Sequence, residues 1–166
     1  GRLLSKTLNQ TKLITLNLER NALGNVGGRA IGEALATNAT LLKLNLSLND
    51  LKAATTVDNG SATQALGDAL LMNQTLQELV LVRSALGPKG GTHLAHGLKS
   101  NKSLRHLNLT GNDLMAGGGQ ALGEALSKNA TLQNLNLRWN RMGCGGTRGI
   151  ESLANSLHVN TTLQEL

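Results

Sequence analysis

The sequence predicts an α/β solenoid bent into a horseshoe, with a parallel sheet on the concave side and helices on the convex side. Three observations lead there. The eleven-residue pattern L-x-x-L-x-L-x-x-N-x-L recurs as LITLNLERNAL (13–23), LLKLNLSLNDL (41–51), LQELVLVRSAL (76–86), LRHLNLTGNDL (104–114) and LQNLNLRWNRM (132–142), with a shortened sixth copy, LQEL (163–166). Between copies, apolar residues stand four apart, as on one face of a helix. Finally, the chain has one Trp and no Phe or Tyr among 166 residues, so leucine must fill its interior. A fixed repeat buries each unit against its neighbours rather than around one central core.

Each element follows in order. Alternating leucines such as Leu16 and Leu18, Leu44 and Leu46, and Leu107 and Leu109 give a short strand with one buried face. The four-residue pairs Ile31/Leu35, Leu66/Leu70, Leu94/Leu98, Leu122/Leu126 and Leu153/Leu157 give a helix with one buried stripe. Strand, helix, strand in a right-handed path builds a parallel sheet. Strands sit about 4.8 Å apart and helices about 8–10 Å, so the stack bends with the sheet inside. Taking the first leucine of each copy as a boundary gives one domain over 1–166, with repeats at 13–40, 41–75, 76–103, 104–131 and 132–162 and partial repeats at 1–12 and 163–166. The chain therefore reads as a fragment of a longer repeat protein.

The punctuation between elements carries further expectations. Asn21, Asn49, Asn112 and Asn140 close the strand motifs, where a buried amide can bond backbone groups left unpaired by a turn; Ser84 replaces the third and should weaken that rung. Six of nine N-x-S/T sequons (Asn9, Asn38, Asn73, Asn101, Asn129, Asn160) fall at the helix-to-strand turn, where a left-handed helix-ending asparagine is expected in place of a glycosylation site. Gly27-Gly28, Gly90-Gly91, Gly118-Gly119 and Gly145-Gly146 suggest tight packing at one repeat phase, not a phosphate cradle. Seven inserted residues fall within 52–62, where Asn59-Gly60 marks a protruding turn; three more fall between Gly146 and Leu153 and should lengthen the last helix.

These motifs resemble the ribonuclease-inhibitor-like class of leucine-rich repeats. The match rests on the 28-residue base period, the eleven-residue motif, and the L-G-x-x-G-G helix half opened by Leu23-Gly24, Leu86-Gly87 and Met142-Gly143. The class includes ribonuclease inhibitor, the sensor arms of NOD-like receptors, Ran GTPase-activating proteins and cytoskeletal scaffolds. The resemblance implies a protein-interaction module or scaffold that binds a partner on its concave face. The alternative it implies is a GTPase-activating module of the Ran activator type.

On that face most outward positions are small and polar. The exceptions are Leu48, Val80 and Val82 with Arg83 beside them, and, two repeats on, Trp139 between Arg138 and Arg141. Trp and Arg dominate interface hot spots, and apolar groups rimmed by polar ones suggest a contact site. His106 joins this candidate set and faces Glu78 across the sheet, at most an acid–base pair. His93 and His96 lack a third ligand and read as a solvated helix face, so no metal or other cofactor is expected. No serine or cysteine nucleophile lies at a matching repeat position, which argues against an enzyme.

Sixteen Lys and Arg against ten Asp and Glu give a formal charge of +6, spread without a basic run. That permits an acidic partner; the lack of stacking aromatics besides Trp139 argues against nucleic acid. Cys144 is the only cysteine, and no signal peptide or membrane-length apolar run is present, so a cytoplasmic setting without membrane contact is expected. The expected partner is a protein of unspecified identity rather than a small-molecule substrate.

Overall fold

The structure, a computed structural model, describes residues 7–8, 10–52 and 60–166. Within them β1 (Thr15–Asn17), α1 (Gly24–Leu35), β2 (Lys43–Asn45), α2 (Ala62–Met72), β3 (Glu78–Val80), α3 (Gly87–Leu98), β4 (His106–Asn108), α4 (Met115–Leu126), β5 (Asn134–Asn136) and α5 (Arg148–Leu157) alternate along the chain. The strands form one parallel sheet in sequence order. Its register aligns Leu16, Leu44, Leu79, Leu107 and Leu135, and a bridge from Asn134 to Glu165 continues it.

Leu44, Leu79, Leu107 and Leu135 are buried, as are Leu46, Leu81 and Leu109, each contributing about 1.5–3 kcal/mol. They project toward the helices and leave the alternate strand positions to solvent. Leu16, on β1 at the edge of the described sheet, and Leu18, just after it, are only partly covered. The helical stripe holds at Ile31, Leu35, Leu66, Leu70, Leu94, Leu98, Leu122 and Leu126. It fails at Leu157, which is 47% exposed; α5 buries Gly149, Leu153 and Ser156 instead, and no further described helix covers its other side.

Glycines set the helix spacing. A Cβ on Gly97 would stand 2.1 Å from the Gly67 carbonyl oxygen, and one on Gly67 would stand 2.2 Å from that of His93. Gly32 and Gly123 approach the backbones of Ala65 and Ser152 in the same way. Consecutive helices thus meet backbone to backbone. Close backbone approach of this kind sets the short end of the helix–helix spacing range. The pairs Gly27-Gly28, Gly90-Gly91 and Gly118-Gly119 also pack tightly, but Gly145-Gly146 does not. Those two take left-handed φ of 89° and 120° in the turn before α5; a Cβ on Gly145 would only touch Ala116 Cβ at 4.0 Å and one on Gly146 would meet nothing, so Gly149 is the residue packed against the Ala116 backbone.

This turn accounts for the three extra residues of the fifth repeat. They lengthen the approach to α5, not the helix, which has 10 residues against 12 in α1, α3 and α4. The seven-residue insertion falls mostly on 53–59, outside the described residues. Its far end is anchored: Ser61 caps α2 by accepting from the Gln64 amide (3.1 Å), and Asn25 Oδ1 accepts from the Ala62 amide (2.7 Å).

Two asparagine ladders bind the repeats. In the first, Asn112 Nδ2 donates to the carbonyls of Leu81 (2.6 Å) and Leu109 (2.8 Å), while its Oδ1 accepts from the Ser84 amide (2.8 Å). Asn49 and Asn140 repeat the arrangement. Ser84 makes a thinner rung, donating to Leu46 and Val82 carbonyls at 3.3 Å each. There the Leu51 amide turns to the Ser84 backbone carbonyl (2.8 Å), whereas the equivalent Leu23 amide uses the Asn49 side chain.

The second ladder corrects the expectation for the helix-to-strand asparagines. Asn38, Asn73, Asn101, Asn129 and Asn160 are not left-handed. Asn73, for one, is extended at φ −76°, ψ 130°. Its Nδ2 donates to the Leu35 and Asn38 carbonyls of the preceding repeat (2.8 Å each), and its Oδ1 accepts from the Thr75 and Leu76 amides. Asn101, Asn129 and Asn160 do the same. Ser103 and Thr131 hydroxyls add bonds to the carbonyls of Asn73 and Asn101, so the third sequon residue is structural as well. Buried amides that donate twice to the backbone are not open to a glycan; Asn9 and Asn59 lie outside the described residues.

Candidate concave-face binding site

The strand residues that face away from the leucines form parallel rows. One runs Thr15, Lys43, Glu78, His106, Asn134 and, through the bridge, Glu165; the next runs Asn17, Asn45, Val80, Asn108, Asn136. Over β3 to β5 these rows floor a trough of about 930 Å³, lined by Lys43, Glu78, Val80, His106, Asn108 and Arg138 among others, with Glu165 and Leu166 at one side. Asn108 Oδ1 is held by the Thr110 amide and hydroxyl (3.1 and 2.7 Å), which fixes that side chain without a ligand. Glu78 pairs with Lys43 (2.8 Å), so its carboxylate is engaged on the side away from His106. Asn134 Nδ2 donates to the Glu165 carboxylate.

The eight candidate residues divide between two places. Val80, His106 and Arg138 line the trough. Leu48, Val82, Arg83, Trp139 and Arg141 belong to the turn beyond the strands, which forms the rim. Leu48, Val80 and Val82 are half-buried, so the apolar surface expected of them is narrower than their sequence suggests. They remain neighbours: the Leu48 amide donates to the Val82 carbonyl (2.9 Å) and the Val82 amide to Ser47 Oγ (3.1 Å).

The rim backbone is unusual. Arg20, Leu48, Arg83, Gly111 and Trp139, at one position in successive repeats, all take left-handed φ between 48° and 72°. This conformation is disfavoured for residues with a Cβ; at Arg20, Leu48, Arg83 and Gly111 it is held by the backbone amide donating to a carbonyl of the next repeat (Ser47, Val82, Thr110 and Arg138). It also throws these side chains outward. Trp139 is 70% exposed, and the Arg83 guanidinium lies over its ring, 5.5 Å from the centroid. Arg141 sits one step along the rim, 3.5 Å from Asp113. Its basicity is raised by a hydrogen bond with the Cys144 side chain, by attraction to that group and by Asp113, so it stays cationic at any working pH.

Sequence reasoning missed Glu165, which enters the trough from the shortened sixth motif. The signal was available, since the third residue of every copy occupies the same row. It also missed that Arg83 and Trp139, two repeats apart, touch. His93 is not a bare solvated face: its Nδ1 lies 3.0 Å from Thr63 Oγ1. Among the described residues, no three His, Cys, Asp or Glu side chains cluster as metal ligands would, and no helix is long and apolar enough to cross a membrane.

No curated protein matches the sequence. Solved structures of like fold include the following two. One, described as the actin-binding site 2 of leiomodin-1, superposes with a TM-score of 0.74 at 18% identity, covering 95% of this chain and 87% of that one. The other, a tropomodulin C-terminal domain from Caenorhabditis elegans, gives 0.68 at 15% identity, covering 96% and 92%. At such identities the likeness is one of fold. The family model described as leucine-rich repeat matches residues 9–32, 37–54, 100–123 and 128–154, more than half of the sequence. With its leucine-lined parallel sheet and asparagine ladders, the chain belongs to the leucine-rich repeat family.

Proposed function

We propose that this chain is a non-enzymatic protein-interaction module, or one segment of a scaffold, that receives a protein partner on its concave face. The carrying observation is the trough of about 930 Å³ that opens toward a rim bearing an arginine-stacked, 70%-exposed tryptophan. An exposed tryptophan held by its neighbour is organised for contact before a partner arrives. We assign Leu48, Val80, Val82, Arg83, His106, Arg138, Trp139 and Arg141 to the contact surface. The 28-residue register and full helical turns on the convex side favour the ribonuclease-inhibitor-like class, and the single Cys144 favours an intracellular setting. The repeats at 13–40, 41–75, 76–103, 104–131 and 132–162 belong to the same proposal, each pairing one strand with the following helix.

Actin is the first partner to test, because the leiomodin-1 structure of like fold is described as an actin-binding site. The test is a pull-down with the wild-type chain and with the double variant Trp139→Ala/Arg83→Ala, scored for monomeric actin and for other retained proteins. The expected outcome is at least one protein held by the wild type and lost by the variant, since removing two hot-spot side chains costs about 2 kcal/mol or more. Identical retention by both would contradict the assigned surface.

A further inference from the structure

We infer that the rim formed by Arg83, Gly111, Arg138 and Trp139 is a docking point for an acidic, carboxylate-bearing segment of a partner protein. This deepens the interaction reading above and rests on it.

The first observation concerns Gly111. Its position is left-handed in every repeat, yet Arg20, Leu48, Arg83 and Trp139 occupy it with side chains. The backbone therefore does not require glycine there. What sets Gly111 apart is its neighbour: a Cβ would stand 3.0 Å from Arg83 Cγ. The missing side chain opens a channel through which Arg83 crosses one whole repeat and reaches Trp139. Gly111 is thus a positioning residue for an Arg–Trp stack.

The second observation concerns charge. A guanidinium spends its face on an aromatic ring and keeps its in-plane N–H donors for a carboxylate, which they can grip in pairs. Arg138 precedes Trp139 in the chain and lines the trough, so a second guanidinium stands where the trough meets the rim. Among the described residues, Arg141 is the one rim arginine matched by an acid, Asp113 at 3.5 Å. The rim therefore carries surplus positive charge around an exposed apolar ring, the complement of an acidic stretch containing an apolar residue. A single-stranded nucleic acid fits less well, because Trp139 is the one aromatic side chain in the sequence and no second ring is present to stack a following base.

The chain contains one tryptophan and no tyrosine, so its intrinsic fluorescence reports Trp139 alone. The experiment titrates the protein with a blocked hexaglutamate peptide carrying one central leucine and follows that emission. The expected result is a saturable, salt-sensitive change, weakened about 10-fold or more in Arg83→Gln and in Arg138→Gln. Gly111→Leu should weaken it similarly and alter the emission of the free protein, because Arg83 is displaced from the ring. Arg29→Gln, which removes the same charge from the convex side, should bind like wild type. Three results would overturn the inference: no saturable change, equal affinity in Arg83→Gln, or tighter binding of a six-nucleotide single-stranded DNA than of the peptide. If the peptide fails while the pull-down still separates wild type from Trp139→Ala/Arg83→Ala, the interaction module stands and the acidic ligand falls.

Discussion

Replacing Asn112 with alanine is expected to destabilise the chain by about 3–5 kcal/mol, among the largest effects available to one exposed-face-neutral substitution. The side chain is buried, donates to the Leu81 and Leu109 carbonyls, and accepts from the Ser84 amide. Alanine leaves the Leu81 carbonyl and the Ser84 amide without partners in a place water does not reach, at about 1–3 kcal/mol each, while the Leu109 carbonyl keeps its bond from Asn140 Nδ2 (2.8 Å). Asn112→Ser should recover part of the loss, because serine already serves at Ser84 by donating to two carbonyls. Urea unfolding followed by far-ultraviolet circular dichroism checks this. A loss for Asn112→Ala within ~1 kcal/mol of wild type would mean that the ladder is dispensable. The same cut should be gentler at Asn21, which is exposed and whose amide donates locally to the Glu19 carbonyl.

Gly97→Ala is expected to cost about 3 kcal/mol or more, against the direction of helix propensity. Alanine is favoured over glycine by about 1 kcal/mol in a helix interior. Here the new methyl would stand 2.1 Å from the Gly67 carbonyl oxygen and 2.8 Å from Leu70 Cβ. Both α2 and α3 would have to part, opening the seam between two repeats, and overpacking of this kind outweighs the propensity gain. Gly117→Ala is the matched control. It lies in α4, is exposed, and would meet only Pro88 Cβ at 3.8 Å, so it should be neutral or stabilising by up to about 1 kcal/mol. Opposite signs for the two substitutions would establish that consecutive helices touch through glycine; equal signs would deny it.

The leucine pattern made the fold legible because its signal is local: strand period, helix period and repeat length are all read within one unit. Features governed by the neighbouring unit were harder to read. The asparagines at the helix ends sit where a left-handed cap would, but the carbonyls of the preceding repeat draw their amides inward and keep the backbone extended. Gly145-Gly146 copies the spelling of the packing pairs, yet three inserted residues shift it into the turn and pass the packing role to Gly149. The candidate site was legible as residue types, not as an arrangement. Arg83 and Trp139 stand 56 positions apart, and their meeting depends on an absence, the side chain that Gly111 lacks. Aligning the rim column would have shown that gap; scanning for charged or aromatic residues alone passes over it.

The most direct measurement is backbone hydrogen exchange on the chain alone and in complex with a protein it retains in the pull-down. Slower exchange is expected over His106–Asn108, Asn134–Asn136 and the rim residues 138–141, with α3 and α4 unchanged. Protection confined to the convex helices, with the strands and rim exchanging as in the free chain, would contradict a concave-face partner.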